Sequence, residues 1–501
     1  MTPVLAGTLL LTATGIFAQV VGFFYRIALS RLIGAETMGL YQLVMPVWSL
    51  LMSMTGVGLT VAVATLSARS HALGDEGAVR AVLRRALGCF LLLALPLGAV
   101  VILASDPISV YLLGDARTRL GVVLLVPCML LTGVENLHKH CFYGMGRVGP
   151  PAASETAEQL VRAGAVLGLL LLLRPGNREK TVAVIVLGLV VCEICSALTL
   201  TLLFRRYRKG ELPPPREQPS ARRLFSIALP VGAASLLGTV LGAANSVLIP
   251  ARLVAGGMEA EEAMAAFGVV CGMTLPMLAL PTGFVGALCL VMVPDLARRT
   301  ALGDRRAAGG FLDRVMTSTT VLMAPCMALL AVIGPAVGRL LFREEGAGDH
   351  ILLLAAGTLV TCWQSVLSGA LNGLGLQGRG AGNAAVSDVV QLAFTWWAVP
   401  RWGLAGFAVG FLLSALTGAG LNLACVLKAT GQRVQLFGWF VRPLLAALLM
   451  GMWSALFFRV LLGAGCGEGA ACLLCALPGV ALYLAALQAQ GFSFRRKEKI
   501  T

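Results

Sequence analysis

LSARSHALGD occupies residues 66–75, and DLARRTALGD occupies residues 295–304. The two stretches share an A-R-x-x-A-L-G-D skeleton and lie 229 residues apart. The same offset relates YGMG at 143–146 to NGLG at 372–375, pairing Gly144 with Gly373 and Gly146 with Gly375. Nearer the start of each half, SRLIGA at 30–35 resembles ARLVAG at 251–256 with an offset of 221. The difference places an eight-residue insertion within GGMEAEEAMAAFG. Pro46 has a near counterpart in Pro276. Several matches in one order, with a single insertion, indicate an internal duplication.

The duplicated unit is apolar. Of 501 residues, 58% are hydrophobic and 13% charged, against about 25% charged in a soluble domain. Mean hydropathy is +0.86. Apolar runs near 20 residues recur from end to end, each long enough to cross a hydrocarbon core of about 30 Å. Fourteen spans are expected, at 5–29, 40–66, 86–104, 120–138, 153–173, 181–204, 225–250, 266–292, 317–338, 351–375, 384–399, 404–427, 442–463 and 470–490. The first run extends well beyond a short signal-peptide core and lacks an early basic side chain, so it reads as a retained helix. The expected fold is an all-α polytopic membrane protein of about 14 transmembrane helices: two parallel six-helix repeats plus two C-terminal helices. Six is even, so both repeats start on the same side and are related by an axis along the membrane normal. That layout recurs in secondary transporters.

Charge orients the bundle. Twenty-six of the 39 Lys and Arg fall on the connections 67–85, 139–152, 205–224, 293–316, 376–383, 428–442 and 491–501. The positive-inside rule makes that set, and both termini, cytoplasmic. It also accounts for the net charge of +15 without a nucleic-acid partner. The expected organisation is a lobe at 1–204, a basic Pro-rich linker at 205–224, a second lobe at 225–427, helices 13 and 14 at 428–490, and a basic tail at 491–501. The linker reads as semi-rigid, with a basic surface suited to anionic membrane lipids.

Thirteen cysteines lie mainly in apolar spans and read as small buried hydrophobes. Cys192-x-x-Cys195 and Cys472-x-x-Cys475 have no histidine nearby, and no metal or other cofactor is expected. The four histidines form no ligand set; His138 and His140 flank Lys139 in an expected cytoplasmic turn. The repeated A-L-G-D segments read as loops with Asp75 and Asp304 as helix N-caps, or as a cytoplasmic gate. No catalytic carboxylate cluster or large extramembrane loop supports an enzyme.

Ionisable residues at membrane depth are costly and usually face a cavity or a partner. The substrate-binding candidates are Gln19, Arg26, Glu158, Arg162 and Arg252. Two readings of Arg26 are open: snorkelling to the outer headgroups, or lining a central cavity. Arg252, at the end of span 7, reads as an outer-rim anchor or a substrate contact. Arg162 follows Glu158 by four residues, the spacing of an intrahelical ion pair. Glu135, Glu193 and Asp388 are candidates for ion coupling. Glu193, alone in span 6, is protonated, paired across helices, or part of a proton or sodium cycle. Guanidinium groups bind phosphate oxygens bidentately and stay charged, so an arginine-lined cavity fits an anionic headgroup. The absence of any Asp or Glu from 1 to 30 argues against a cavity built for cationic drugs.

GFFYR…SRLIGAETMGLYQL…P in the first 75 residues resembles the stage V sporulation protein B group. These are polysaccharide-transporter-type members of the multidrug/oligosaccharidyl-lipid/polysaccharide exporter superfamily. LPVGAASLLGTVLGAANSVLIPARL, LPMLALPTGF and VPDLARR extend the resemblance through about 430 residues. It implies a MATE-like fold in a bacterial plasma membrane. It implies a flippase role for lipid-linked cell-wall or polysaccharide precursors, in spore cortex peptidoglycan synthesis. Its implied partners are a lipid-linked oligosaccharide or undecaprenyl-pyrophosphate precursor and cell-wall synthases. The lipid II flippases of this superfamily carry a GF-x-R-type motif whose arginine faces the cavity, and Arg26 matches it. In those proteins helices 13 and 14 add a groove for a polyprenyl tail; lipid-facing padding or an oligomer contact is the other reading here. The competing functions are an ion-coupled multidrug or metabolite exporter of the same fold, and an assembly scaffold.

Overall fold

The computed structural model describes residues 3–207, 220–302, 305–431, 435 and 437–491. Most of the expected linker, Asp304 of the second A-L-G-D and the basic tail beyond Gly491 lie outside the described residues. The described chain is almost wholly helical and contains no strand. The main helices are α1 (Pro3–Thr55), α2 (Val57–Ala72), α3 (Glu76–Leu103), α4 (Arg119–Gly144), α5 (Gly149–Leu173), α6 (Arg178–Tyr207), α7 (Ala221–Ala255) and α8 (Ala260–Val269). They continue as α9 (Gly283–Ala301), α10 (Arg305–Phe342), α11 (Ile351–Gly373), α12 (Gln377–Trp397), α13 (Leu404–Thr430), α14 (Arg442–Gly463) and α15 (Glu468–Ala489).

Each of the fourteen expected apolar runs is helical. Among the described residues, twelve segments are long and apolar enough to cross a bilayer. Two local features separate twelve from fourteen. The first expected span and part of the second are fused in α1, 53 residues long. A straight helix of that length would measure about 80 Å, far more than a bilayer. It kinks at Gly34, where φ is 74° and ψ 172°, a conformation only glycine adopts readily. The expected span at 384–399 falls in α12, whose first half carries Gln377, Arg379, Asn383 and Asp388. Leu92, Leu103, Leu172 and Leu477 are largely exposed, as an acyl-chain environment permits.

Span 8 differs from expectation. In place of one helix over 266–292 the chain runs α8, a π-helical stretch Val270–Thr274, a helical turn Leu275–Ala279 and a 3-10 turn Leu280–Thr282 before α9. Pro276 and Pro281 lack the N–H that a continuous ladder needs. His138, Lys139 and His140 also differ: they lie inside α4, not in a turn. The Nδ1–H of His138 donates to Val134 O at 2.8 Å, and that of His140 to Asn136 O at 2.9 Å.

The chain divides into two compact units, Met1–Gly272 and Met273–Thr501. In the first, α4, α5 and α6 pack on one another. Helix α2 packs on α3, α4 and α7, and α1 packs on α5, α7 and α8. The duplication is visible at atomic scale where α1 crosses α8. A Cβ on Gly39 would lie 2.1 Å from Met264 O, and a Cβ on Gly268 would lie 2.0 Å from Ala35 O. Ala35 and Met264, like Gly39 and Gly268, are 229 residues apart, so the contact is reciprocal, as about a two-fold axis. Gln42 Nε2 donates to Cys271 O at 3.4 Å across the same crossing. Gly146 and Gly375 both adopt positive φ, 71° and 75°, and close equivalent turns. Asp75 Oδ1 accepts from Ala78 N at 2.9 Å and caps α3.

In the second unit α11 packs on α13, α12 on α13, and α10 on α11, α14 and α15. Asp313 of α10 accepts from Trp439 Nε1 at 3.1 Å and from Gln435 Nε2 at 3.0 Å. Tyr483 Oη of α15 donates to Val321 O of α10 at 2.9 Å. The last two helices are thereby anchored on one side and present Leu448, Leu456, Leu473 and Leu477 on the other.

Candidate functional site

The first unit has a charged interior. Helix α4 carries Glu135 and Lys139 one turn apart, so both project to one side. Lys139 is 8% exposed and Glu135 1% exposed. Lys139 Nζ lies 2.7 Å from Glu135 Oε1 and 3.1 Å from Glu158 Oε2 of α5, with Glu155 Oε1 at 3.8 Å. Glu158 Oε1 accepts from Arg162 Nη2, the intrahelical pair that the four-residue spacing anticipates. Ser196 Oγ of α6 donates to Glu135 Oε1 at 2.6 Å and lies 2.9 Å from Ser154 Oγ of α5. Tyr143 Oη donates to Glu155 Oε1 at 3.1 Å. Glu193 of α6 is also buried, three residues before Ser196 on the same helix.

Arg162 links this interior to α1. Helix α1, which carries Tyr25, Arg26 and Tyr41, packs on α5, which carries Arg162. Helix α1 meets α5 near Gly22, where Gln159 Oε1 lies 3.8 Å from the position of a Cβ. Arg26 is half-buried, and no ion pair to it is found among the described residues. Tyr25 Oη and Arg162 Nε are buried donors without a hydrogen-bond acceptor among the described residues. Unsatisfied buried donors are uncommon and call for a partner.

Of the sequence candidates, Glu135, Glu158 and Arg162 are joined through ion pairs, and Glu193 is buried in the same unit. Gln19 lies two turns before Arg26 on α1, half-buried. Arg252 sits in the last turn of α7. Asp388 is on α12 of the second unit, half-buried, with no ion pair among the described residues. Lys139 is the buried charged residue that sequence reading misplaced. Its signal was the Glu135–Lys139 spacing within a run that continues helical to Gly144.

A second charged group also escaped sequence reading. Glu36, just after the α1 kink, accepts from Arg117 Nη1 at 2.6 Å and Arg178 Nη2 at 2.5 Å. Arg117 pairs with Asp115 at 2.7 Å, and Arg178 Nη1 lies 3.5 Å from Glu261 Oε1 at the start of α8. Four separate chain segments meet there, which no single stretch of sequence reveals.

A helical bundle with twelve segments long and apolar enough to cross a membrane among the described residues, an internal sequence repeat and a charged interior is the build of a membrane transporter. The chain belongs to the polysaccharide biosynthesis protein family, whose model matches residues 4–282. It is 24% identical over 432 residues to Stage V sporulation protein B of Bacillus subtilis (strain 168), covering 85% of this chain and 83% of that protein. Among solved structures it is similar to Lipid II flippase MurJ in an inward closed conformation, with TM-score 0.73 and 13% identity over 96% of this chain and 98% of that one. It is also similar to an inward-facing multidrug resistance MATE family transporter of the MOP superfamily, with TM-score 0.65 and 14% identity over 83% and 96% of the two chains. The resemblance read from the GFFYR…SRLIGAETMGLYQL stretch therefore extends along the chain, and the fold is the one shared by these membrane transporters.

Proposed function

We propose that this protein is a flippase. It moves lipid-linked cell-wall or polysaccharide precursors across a bacterial plasma membrane by alternating access, with both termini cytoplasmic. Spore cortex peptidoglycan is the pathway that the sporulation relative suggests. The substrate class is an undecaprenyl-pyrophosphate precursor or a similar lipid-linked oligosaccharide.

The observation that carries this reading is Arg26: half-buried at membrane depth, without an ion-pair partner among the described residues, on a helix packed against the one that carries Arg162. A guanidinium held there, with the unsatisfied donors Tyr25 Oη and Arg162 Nε, suits phosphate oxygens. The carboxylates of the same unit speak against a cationic cargo. Glu135 and Glu158 are already engaged by Lys139 and Arg162, so neither is free for a cationic drug. Arg252 and Gln19 are proposed as further contacts on α7 and α1.

The test is translocation of a labelled undecaprenyl-pyrophosphate precursor in proteoliposomes. A hydrogen bond to a charged group contributes about 1.5–3 kcal/mol, so Arg26→Ala is expected to slow exposure on the far leaflet roughly 10- to 100-fold. Arg26→Ala moving the precursor at the wild-type rate, at equal reconstitution, would overturn the reading.

A further inference from the structure

The geometry points to Glu193 as a reversible proton-binding site, sharing one proton with Glu135 at the buried junction of α4 and α6.

Three carboxyls, Glu135, Glu158 and Glu193, are buried together. The cations that touch them are Lys139 and Arg162. Lys139 is divided between Glu135 and Glu158, and Arg162 is held by Glu158. Glu135 has two donors, Lys139 and Ser196. Glu193 is the odd member. It is 5% exposed, and its Oε2 has no hydrogen-bond donor among the described residues. It lies three residues before Ser196, whose hydroxyl bonds Glu135 at 2.6 Å, on a helix packed against α4, which brings the Glu193 carboxyl to the Glu135 side of α6. Thr132 Oγ1 donates to Cys128 O at 2.9 Å, so its hydrogen is already committed. Two carboxylates side by side, one lacking any cation, cannot both be ionised. A proton shared by Glu193 and Glu135 removes that repulsion and leaves two carboxylate charges against the two cations Lys139 and Arg162.

The remaining neighbours do not supply that compensation. On α4 they are Cys128 and Lys139; on α5, Glu155, Glu158 and Arg162; on α6, Cys192 and Ser196; on α1, Tyr25 and Tyr41 with Arg26 beyond them. The thiols and phenols are neutral, and Arg162 is taken by Glu158.

The site has a route to water. From Glu193 the polar chain runs through Glu135 and Lys139 to Glu155, whose side chain is 37% exposed and bonded to Tyr143 near the end of α4. The step is a bare proton transfer. The Glu193 O–H bond breaks, the proton passes to water at the Glu155 end, and it returns by the same path; no other bond changes. A coupling follows, which rests on the flippase reading given above. An anionic headgroup at Arg162 competes with Glu158 for the guanidinium. Glu158 then relies on Lys139 alone and draws it from Glu135, and the Glu135–Glu193 pair holds its proton more tightly. Anion binding and proton binding therefore favour each other, by linkage.

The first test needs no substrate. Infrared difference spectra of the full chain in nanodiscs, Glu193→Gln against wild type at neutral pH, are expected to lose a protonated-carboxyl C=O band. Glutamine keeps a neutral donor towards Glu135, so the variant retains the local fold. No difference in that region, or a wild type without the band, overturns the proton site. The second test adds undecaprenyl pyrophosphate to weakly buffered protein with a pH indicator, alongside tryptophan fluorescence for binding. At an alkaline pH where the wild-type carboxyl band has largely gone, uptake of up to about one proton per chain, lost in Glu193→Gln while binding persists, is expected. Binding without uptake refutes the coupling; failure of the wild type to bind refutes the flippase reading and leaves the infrared result to decide the proton site.

Discussion

Lys139→Met is the sharpest test of the charged interior. The substitution keeps an unbranched side chain of similar reach and removes only the ammonium. Lys139 makes two close contacts, 2.7 Å to Glu135 and 3.1 Å to Glu158, at a residue 8% exposed. Removing one partner of a buried ion pair costs about 3–5 kcal/mol, because the opposite charge stays buried without compensation. Glu135 loses its cation outright and Glu158 keeps only Arg162, so the upper end of that range is expected, about 5 kcal/mol. For a lobe of this size each kcal/mol lowers a thermal midpoint by roughly 2–4 °C, so a drop of roughly 10 °C or more is predicted. The assay is fluorescence-detected size-exclusion after heating in detergent, for wild type, Lys139→Met and Lys139→Met/Glu135→Gln. The double variant neutralises one stranded carboxyl and should recover part of the loss. An unchanged midpoint in Lys139→Met would refute the argument that this lysine compensates the buried carboxyls. A double variant no better than the single would show that the loss comes from packing.

Two further predictions concern the α1 segment beyond its kink. Gly268→Ala places a methyl where Ala35 O is 2.0 Å and Gly39 N 2.6 Å away, so α1 and α8 must part by about 1 Å to regain van der Waals contact. Faster hydrogen exchange over residues 35–42 and 264–272 is expected, and unchanged protection there would contradict it. In the Glu36 network, Arg117→Ala should destabilise by about 1–3 kcal/mol, since it bonds Glu36 and grips Asp115 through charge-assisted contacts. Arg178→Ala, whose side chain is 46% exposed, should cost less than about 1 kcal/mol. Thermal midpoints in the reverse order would refute the assignment of Arg117 as the anchor.

The charged interior explains why some residues resisted sequence reading. Lys139 sits between two histidines near the end of an apolar run, where positive charge usually marks a cytoplasmic connection. What holds it inside the helix is non-local: Glu158 and Glu155 arrive from α5. Glu193 stood alone in its own span because its counterpart, Glu135, is 58 residues earlier in the chain. The Glu158–Arg162 pair was legible because both residues lie on one helix, four apart.

The amino-acid sequence by itself determined the class of the protein. Apolar length demands membrane-spanning helices, since only they satisfy every backbone group within lipid. The matched A-L-G-D and G-x-G segments reveal the duplication, because turn geometry ties residue type to position. Composition could not show where helices fuse or break. The fusion through Gly34 and the interruption of span 8 after Gly268 depend on what each segment packs against. Only the tertiary structure brought Ala35 and Gly39 against Met264 and Gly268, set Lys139 between Glu135 and Glu158, and buried Glu193 in the same unit. Those contacts join residues tens to hundreds of positions apart, and their energies come from burial and charge compensation, which exist only once the helices have met.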